Sequence, residues 1–261
     1  MQHKRNNRIM EEKKYAFTDE TIEYEGHTLH RIKALKAFSN FFHRVEKGDL
    51  GGFIEKEANL SQEGHCWVYN DAKVYENSLI YGAAQIFIKA IVYGEAEIGD
   101  NALLYGNAIV GNKAQIYGNA VVCDNALVID EARIYDNAEI YGHAMIIDNA
   151  QVYGKAEICG CASVMDMASI CGTAQISGNS KISGVAEICG DAKIESYKDY
   201  MVFKNNWSSG RYFTWTKSND MWNVGCFYGT GKELIEKAYK DSEESGKNYE
   251  KCVKFAEDLN N

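Results

Sequence analysis

The hydrophobic positions of this chain repeat every six residues over half of its length. Steps of six from Val68 to Ile194 give 22 positions, and all of them hold Ile or Val except Leu104. The position two residues earlier is Ala in 19 of the 22 hexads. An amphipathic helix does not keep this register, because its apolar positions follow a period of 3.6 residues. Two inward positions separated by one residue instead predict a short strand in every hexad.

Turn residues follow each predicted strand. The second residue after the inward aliphatic is mostly Gly or Asp and the next is often Asn, as in YGNA at 105–108 and YDNA at 135–138. These residues tolerate left-handed backbone and mark corners. A strand and a corner in every hexad predict an all-β solenoid of triangular cross-section over residues 66–196, with 18 residues per turn. Residues 18 apart then stack on neighbouring turns.

The segments that flank the repeats are expected to cover the open ends of this rod, which would otherwise expose unpaired strand edges. Residues 15–65 are predicted to form a small strand-rich N-terminal cap with a turn at Glu25 and Gly26. Residues 197–261 are predicted to form an α+β C-terminal cap, in which two helices are broken near Gly246. Residues 1–14 are predicted to be a disordered extension. The inward face of the two helices is assigned to Leu234, Ile235, Ala238, Val253 and Ala256.

The lead-in to the rod and the hexads resemble a known family. The segment GDLGGFIEKEANLSQEGHCWVY at 48–69, followed by YGNA-type hexads, resembles the hexapeptide-repeat family of left-handed parallel β-helices. Within that family it is most similar to proteins of undefined role that phages and prophages carry. The resemblance extends from residue 13 to the C-terminus and is most specific over residues 48–194. It implies a left-handed parallel β-helix and a phage or prophage origin.

Stacking at 18 residues assigns the outward side chains to three faces. The first face is apolar over five turns, and nothing in the local pattern requires this. An exposed apolar patch beyond a few hundred Å² usually marks an interface. We therefore predict self-association as a dimer or trimer, or binding of a foreign protein, through this face; the alternative is that a cap folds back over it. Its residues are Ile91, Tyr93, Ile109, Leu127, Ile129, Met145, Ile147 and Met165.

The other two faces are more polar. The second carries Tyr117, Tyr135 and Tyr153 as a ladder beside Gln and Arg residues. Such a ladder is expected to stabilise the sheet by stacking rather than to form a recognition surface. The third face begins with aromatic residues, including Trp67, and becomes polar beyond Glu139.

A column of acidic residues borders the apolar face. Asp130, Asp148 and Asp166 follow one another on successive turns, and Glu131 adds a further charge. The favoured interpretation is that Asp is a suitable corner residue and that solvent screens the repulsion. The alternative is a contact for a basic partner or a divalent cation.

The net charge of −9 is concentrated in the repeats. Residues 66–196 hold 16 acidic and 7 basic residues, whereas the two flanks together hold 21 of each. Because phosphate contacts require a basic surface, direct binding of nucleic acid is not expected. The charged N-terminal segment has no apolar stretch behind it, which argues against a signal peptide or a membrane anchor. We expect a cytoplasmic protein, in the host cytoplasm if a phage encodes it.

The candidate chemistry is weak. The best-known hexapeptide-repeat proteins are trimeric acyltransferases with an excursion loop and a catalytic His, but here 22 hexads run without insertion and His143 is the one His among them. We expect His143 to be a corner residue in place of Asn; it is the candidate general base only if the chain is an acyltransferase. The zinc carbonic anhydrases of the same family need three His ligands, whereas the hexads of this chain hold one His. No catalytic residue, metal or cofactor is therefore predicted.

The eight cysteines are expected to be reduced thiols. Cys171 and Cys189 stack on one face, and Cys159 and Cys161 form a C-x-C pair, but no second pair has zinc spacing. These patterns together predict a non-catalytic, rigid binding or scaffold protein that acts by self-association or by binding and inhibiting a host factor. The alternatives are an acyltransferase and a structural component of a phage particle.

Overall fold

The computed structural model describes residues 12–39 and 43–260. In the N-terminal cap, β1 and β2 form an antiparallel hairpin with the predicted turn at Glu25 and Gly26. Strand β5 joins β2 to the first rod strand of the same sheet. The cap elements are β1 (Tyr15–Tyr24), β2 (His27–Ala34), β3 (Phe38–Ser39), β4 (Arg44–Val45), β5 (Leu50–Ile54) and a 3-10 turn at Glu57–Asn59.

The rod consists of 22 strands of two residues each, β6 to β27, in three parallel sheets. Sheet 1 contains β7 (Lys73–Val74), β10 (Ile91–Val92), β13 (Ile109–Val110), β16 (Leu127–Val128), β19 (Met145–Ile146), β22 (Ser163–Val164) and β25 (Lys181–Ile182). Sheet 2 contains β8 (Leu79–Ile80), β11 (Glu97–Ile98), β14 (Gln115–Ile116), β17 (Arg133–Ile134), β20 (Gln151–Val152), β23 (Ser169–Ile170) and β26 (Glu187–Ile188). Sheet 3 contains β6 (Trp67–Val68), β9 (Gln85–Ile86), β12 (Leu103–Leu104), β15 (Val121–Val122), β18 (Glu139–Ile140), β21 (Glu157–Ile158), β24 (Gln175–Ile176) and β27 (Lys193–Ile194).

The core of the rod is the stack of inward residues that the repeat predicted. All 22 aliphatic positions from Val68 to Ile194 are fully buried, and the small residues two positions earlier are buried beside them. Each fully buried aliphatic side chain contributes about 1.5–3 kcal/mol before the entropy of folding is subtracted. The predicted fold class, a triangular β-helix with 18 residues per turn between two caps, is confirmed.

Every corner of the rod contains one residue with positive φ. This residue recurs every six positions from Gly64 to Gly190, and most of the 22 are Gly, Asp or Asn. Those residue types adopt the left-handed conformation at the least cost. The exceptions are Glu76, with φ of 56°, and Ile88, with φ of 62°.

The C-terminal cap is a four-stranded antiparallel meander packed on two helices. Its core contains Trp215, Trp222, Leu234 and Val253. The predicted break near Gly246 is wrong, because Gly246 lies inside the second helix and the break falls at Ser242. The elements are β28 (Tyr200–Lys204), β29 (Tyr212–Thr216), β30 (Met221–Val224), β31 (Phe227–Thr230), α1 (Gly231–Asp241) and α2 (Glu243–Asn260).

The N-terminal cap begins earlier than predicted. Lys14, which the sequence analysis placed in a disordered extension, is buried, and its Nζ donates to the carbonyl oxygens of Glu63 at 3.1 Å and Cys66 at 3.0 Å. Desolvation by burial lowers the pKa of Lys14. Of that predicted extension, residues 1–11 lie outside the described residues.

One residue of the predicted third face points the wrong way. Trp67 is buried rather than outward, because its ring packs against Tyr15 at 6.2 Å and Phe38 at 5.4 Å between ring centroids. The N-terminal cap therefore covers the first strand of sheet 3.

Candidate binding surface

The eight residues predicted as an interface lie on the outer side of sheet 1 in two adjacent columns. Ile91, Ile109, Leu127 and Met145 pair directly in register along the sheet. The second column contains Tyr93, Ile129, Ile147 and Met165, with Gly111 in the place between the first two. A Cβ atom on Gly111 would collide with the Tyr93 ring, so this ring fills the gap in the column.

The N-terminal cap covers the first turns of this face. Leu29 of β2 is fully buried with Phe53 and Tyr75, and Ile91 and Tyr93 pack against that cluster. The Tyr75 and Tyr93 rings stack with centroids 5.8 Å apart. The alternative in which a cap folds back over the face is thus realised for its first two residues.

The other six residues form a continuous surface, which we call the apolar face. Met145 is the most exposed of them, with 37% of its surface accessible, and neighbouring residues partly bury each of the other five. None of the hydrophobic clusters in the described part of the chain includes them. The described residues of the two caps therefore form no buried apolar cluster with this stretch of sheet 1. The apolar face comprises Ile109, Leu127, Ile129, Met145, Ile147 and Met165.

The acidic corner beside the apolar face is built into the coil. Asp130, Asp148 and Asp166 have φ of 62°, 57° and 59°. The Asp148 carboxylate accepts a hydrogen bond from the backbone N–H of Asp166 at 3.0 Å, and Asp166 accepts one from Gly184 at 2.7 Å. Each carboxylate thus ties one turn to the next while it occupies a left-handed corner, which supports the corner interpretation.

The acidic corner also borders a shallow cavity of about 330 Å³ whose lining includes Lys113, Asp130 and Glu131. Asn149 Nδ2 donates to Glu131 Oε2 at 3.0 Å, and Asn112 Nδ2 donates to Asp130 Oδ1 at 2.8 Å. Asp130 Oδ2 accepts from the backbone N–H of Asp148 at 3.4 Å, so both Asp130 oxygens are engaged. Among the described residues, no group of three or more His, Cys, Asp or Glu side chains is placed to hold a metal ion.

The tyrosine ladder lies on sheet 2 as expected. The ring of Tyr135 stacks on Tyr117 at 5.1 Å and on Tyr153 at 4.8 Å, and the ring planes are within 5° of parallel. The prediction that these rings stack along the sheet is confirmed. The next residue in the column after Tyr153 is Cys171, so the ladder ends there.

His143 is exposed at a corner. Its backbone N–H donates to the Gly160 carbonyl oxygen at 2.7 Å, as other corner residues do to the following turn. Within the described residues no side chain hydrogen bonds to the His143 ring.

The cysteines differ from expectation at one pair. Cys171 and Cys189, which stack on sheet 2 as predicted, are joined in a disulfide rather than kept as separate thiols. Their Cα atoms are 4.6 Å apart, because residues 18 apart face each other on neighbouring turns. Cys159 and Cys161 are free thiols.

A recess that the sequence analysis missed lies where the C-terminal cap overhangs sheet 2; we call it the cap recess. Its volume is about 320 Å³, and it lies beside the disulfide. The missed signal is the change in the sheet 2 columns after Tyr153, where large residues give way to Ser169 and Cys171. Its lining residues are Tyr153, Ser169, Glu187, Cys189, Asn223, Gly225, Cys226, Phe227 and Tyr228.

The middle of the rod matches the model of a known repeat family. The model of a family described as the YdcK beta-solenoid repeat matches residues 114–130, which lie in the middle of the rod. A search of the curated proteins found none that matches this chain. No helix in the described residues is long and apolar enough to cross a membrane. The match and the three parallel sheets together support a β-helix built from repeats.

Proposed function

We propose that this protein is a non-catalytic, rigid binding rod that self-associates through the apolar face. The observation that carries the proposal is the row of six apolar side chains that, among the described residues, belong to none of the hydrophobic clusters formed with the caps. The same positions on sheet 2 hold Gln115, Arg133 and Gln151, so the coil itself does not require apolar residues there. Their burial in an interface would remove apolar surface from water, which favours association.

A second copy of the chain suits this surface because a flat face can be self-complementary across a two-fold axis. The two corners that border it differ in charge: one carries Asp130, Asp148 and Asp166, and the other carries a single acid, Asp124, beside Asn125 and His143. An axis parallel to the rod brings the acidic corner of one copy beside the Asn and His corner of the other. An axis across the rod brings the two acidic corners together, which like-charge repulsion disfavours.

The test is the solution mass of the wild type and of an Ile129→Lys, Ile147→Lys double variant, measured by light scattering. We expect the wild type to be a multiple of the 29.3 kDa chain mass and the variant to be a folded monomer. A Gln151→Lys, Gln175→Lys variant is the matched control, since it adds the same two charges to sheets 2 and 3. Circular dichroism establishes that each variant keeps its strands.

A monomeric wild type would contradict self-association and leave a foreign protein as the occupant of the apolar face. The acidic corner would then favour a partner with a basic surface. The resemblance of residues 48–69 to phage-borne proteins supports a phage or prophage origin. The corresponding role would be to bind and inhibit a host factor in the host cytoplasm. A trimer would make the clefts between rods, and His143, the next place to test for acyl transfer.

A further inference from the structure

We propose that the cap recess binds a small organic cation that carries N–H donors, with Glu187 as its counter-ion and Tyr153 as its aromatic wall. The recess lies on sheet 2, away from the apolar face on sheet 1, so this proposal stands or falls independently of self-association. It would give the rod a ligand site at the junction with its C-terminal cap.

The Glu187 carboxylate is the first observation. Within the described residues no side chain or backbone group pairs with it, and only its backbone N–H is bonded, to Thr214 Oγ1 at 3.0 Å. Desolvation by burial raises its pKa. By contrast, hydrogen bonds lower the pKa of Asp191 and of Glu233, and Glu55 is paired with His27. The Glu187 side chain is exposed and lines the recess, so its unpaired carboxylate is accessible to a ligand as a counter-ion.

The hydrogen-bond acceptors in the lining are the second observation. Asn223 uses its Nδ2 to donate to Cys189 Sγ at 3.5 Å, which leaves its Oδ1 as an acceptor. The Tyr228 hydroxyl donates to the Cys189 carbonyl oxygen at 3.3 Å and accepts from Asn219 Nδ2 at 3.2 Å. With the Glu187 carboxylate these groups favour a ligand that donates, such as a primary ammonium or a guanidinium.

Aromatic surface is the third observation. Tyr153 ends the ladder, so one ring face stacks on Tyr135 and the other borders the recess. Rings of this kind attract cations within about 6 Å of their centroid. Phe227 already has the Lys237 ammonium 5.2 Å from its centroid, so Tyr153 and Tyr228 are the surfaces available to a ligand.

The size of the recess limits the ligand. Its volume of about 320 Å³ is at the lower end of the range of about 300–1,000 Å³ for small-molecule sites. A short diamine or guanidino amine fits this space, whereas a folded partner does not.

The experiment is titration calorimetry of the full chain with 1,4-diaminobutane and agmatine, with 1,4-butanediol as the neutral isostere. We expect at least one cation to bind with millimolar or better affinity and the diol not to bind. Glu187→Gln should weaken binding at least about tenfold, as expected for loss of a close charge pair. Glu97→Gln is the matched control, because Glu97 occupies the same column position on sheet 2 and does not line the recess.

Tyr153→Leu provides a second variant that keeps the charge and removes the ring, and it should weaken binding several-fold. Thermal unfolding of each variant checks that the cap remains docked. No binding of either cation at millimolar concentration, equal binding of the diol, or unchanged affinity in Glu187→Gln would each overturn the proposal.

Discussion

Single residues at the corners determine how well each turn closes, and Ile88 is the least suited of them. Its φ of 62° is unfavourable for a β-branched residue, and its side chain is 49% exposed and gains little from burial. We expect Ile88→Asp to raise the free energy of unfolding by about 1–2 kcal/mol, since Asp relieves the left-handed strain. Its carboxylate would also accept from the Gly106 N–H, as Asp100 accepts from Gly118.

Urea denaturation followed by circular dichroism measures this change. Ile88→Val is the matched control, because Val keeps the branch at Cβ and should leave the stability unchanged. Equal stability of the Asp variant and the wild type would mean that the corner relaxes around Ile88 without cost.

The acidic corner allows a sharper test of whether its charge or its shape matters. Asp148→Asn removes the charge but keeps a residue that tolerates φ of 57° and an oxygen that can accept from the Asp166 N–H. We expect it to change the stability by less than about 1 kcal/mol, whereas Asp148→Ala should cost about 2 kcal/mol. Chemical denaturation with and without calcium provides the measurement.

Two results would contradict the corner interpretation of Asp148. Equal destabilisation by Asn and Ala would show that the charge itself is needed. Stabilisation of the wild type by calcium that Asp148→Asn removes would show that the corner is a cation site.

At the scale of the elements, the last strand of each rod sheet hydrogen bonds to a side chain of the C-terminal cap. A different cap residue serves each of the three sheets. The last strand of sheet 2 bonds to Thr214, that of sheet 3 bonds to Ser218, and the Lys181 carbonyl of sheet 1 accepts from Tyr200. These contacts satisfy backbone groups that the missing next turn would otherwise pair.

Thr214→Val tests this closure. The substitution keeps the shape but leaves the Glu187 N–H without its acceptor, so we expect a loss of about 1–3 kcal/mol in the free energy of unfolding. Thr28→Val is the control, since the Thr28 hydroxyl bonds to an exposed carboxylate of Glu23. A loss no larger than that of the control would mean that water replaces the hydroxyl.

The sequence predicted the structure where the signal lies within or between neighbouring hexads, and it did not predict packing between distant segments. The hexads specify strand, corner and stacking partner, because inward Ile or Val and Ala recur at fixed positions, and this includes the contact of Cys171 with Cys189. Packing between distant segments leaves no such period. The cover of Ile91 by β2 and the overhang of residues 223–228 above Glu187 therefore became visible only in the structure.

At the scale of the molecule, the core is the same on all three sheets while the outer faces differ. This allows the apolar face to be broken without a change in the core. Duplication of residues 133–138 directly after Ala138 adds one hexad and moves every later residue to the next sheet. Sheet 1 then continues after Ile129 with Glu139 and Tyr141, which are polar or charged. Duplication of residues 133–150 after Ala150 adds one full turn and keeps every later residue on its own sheet.

We expect both insertions to fold into rods, because the inward positions of the added hexads match those of every turn. Light scattering should then show that the one-turn insertion associates like the wild type and that the one-hexad insertion is a monomer. If both insertions associate, the interface does not need a continuous apolar face on sheet 1. If the one-hexad insertion fails to fold, as judged by circular dichroism, the three sheets are not interchangeable and the relative orientation of the two caps contributes to stability. The comparison thus separates what the repeat requires for folding from what the apolar face adds for binding.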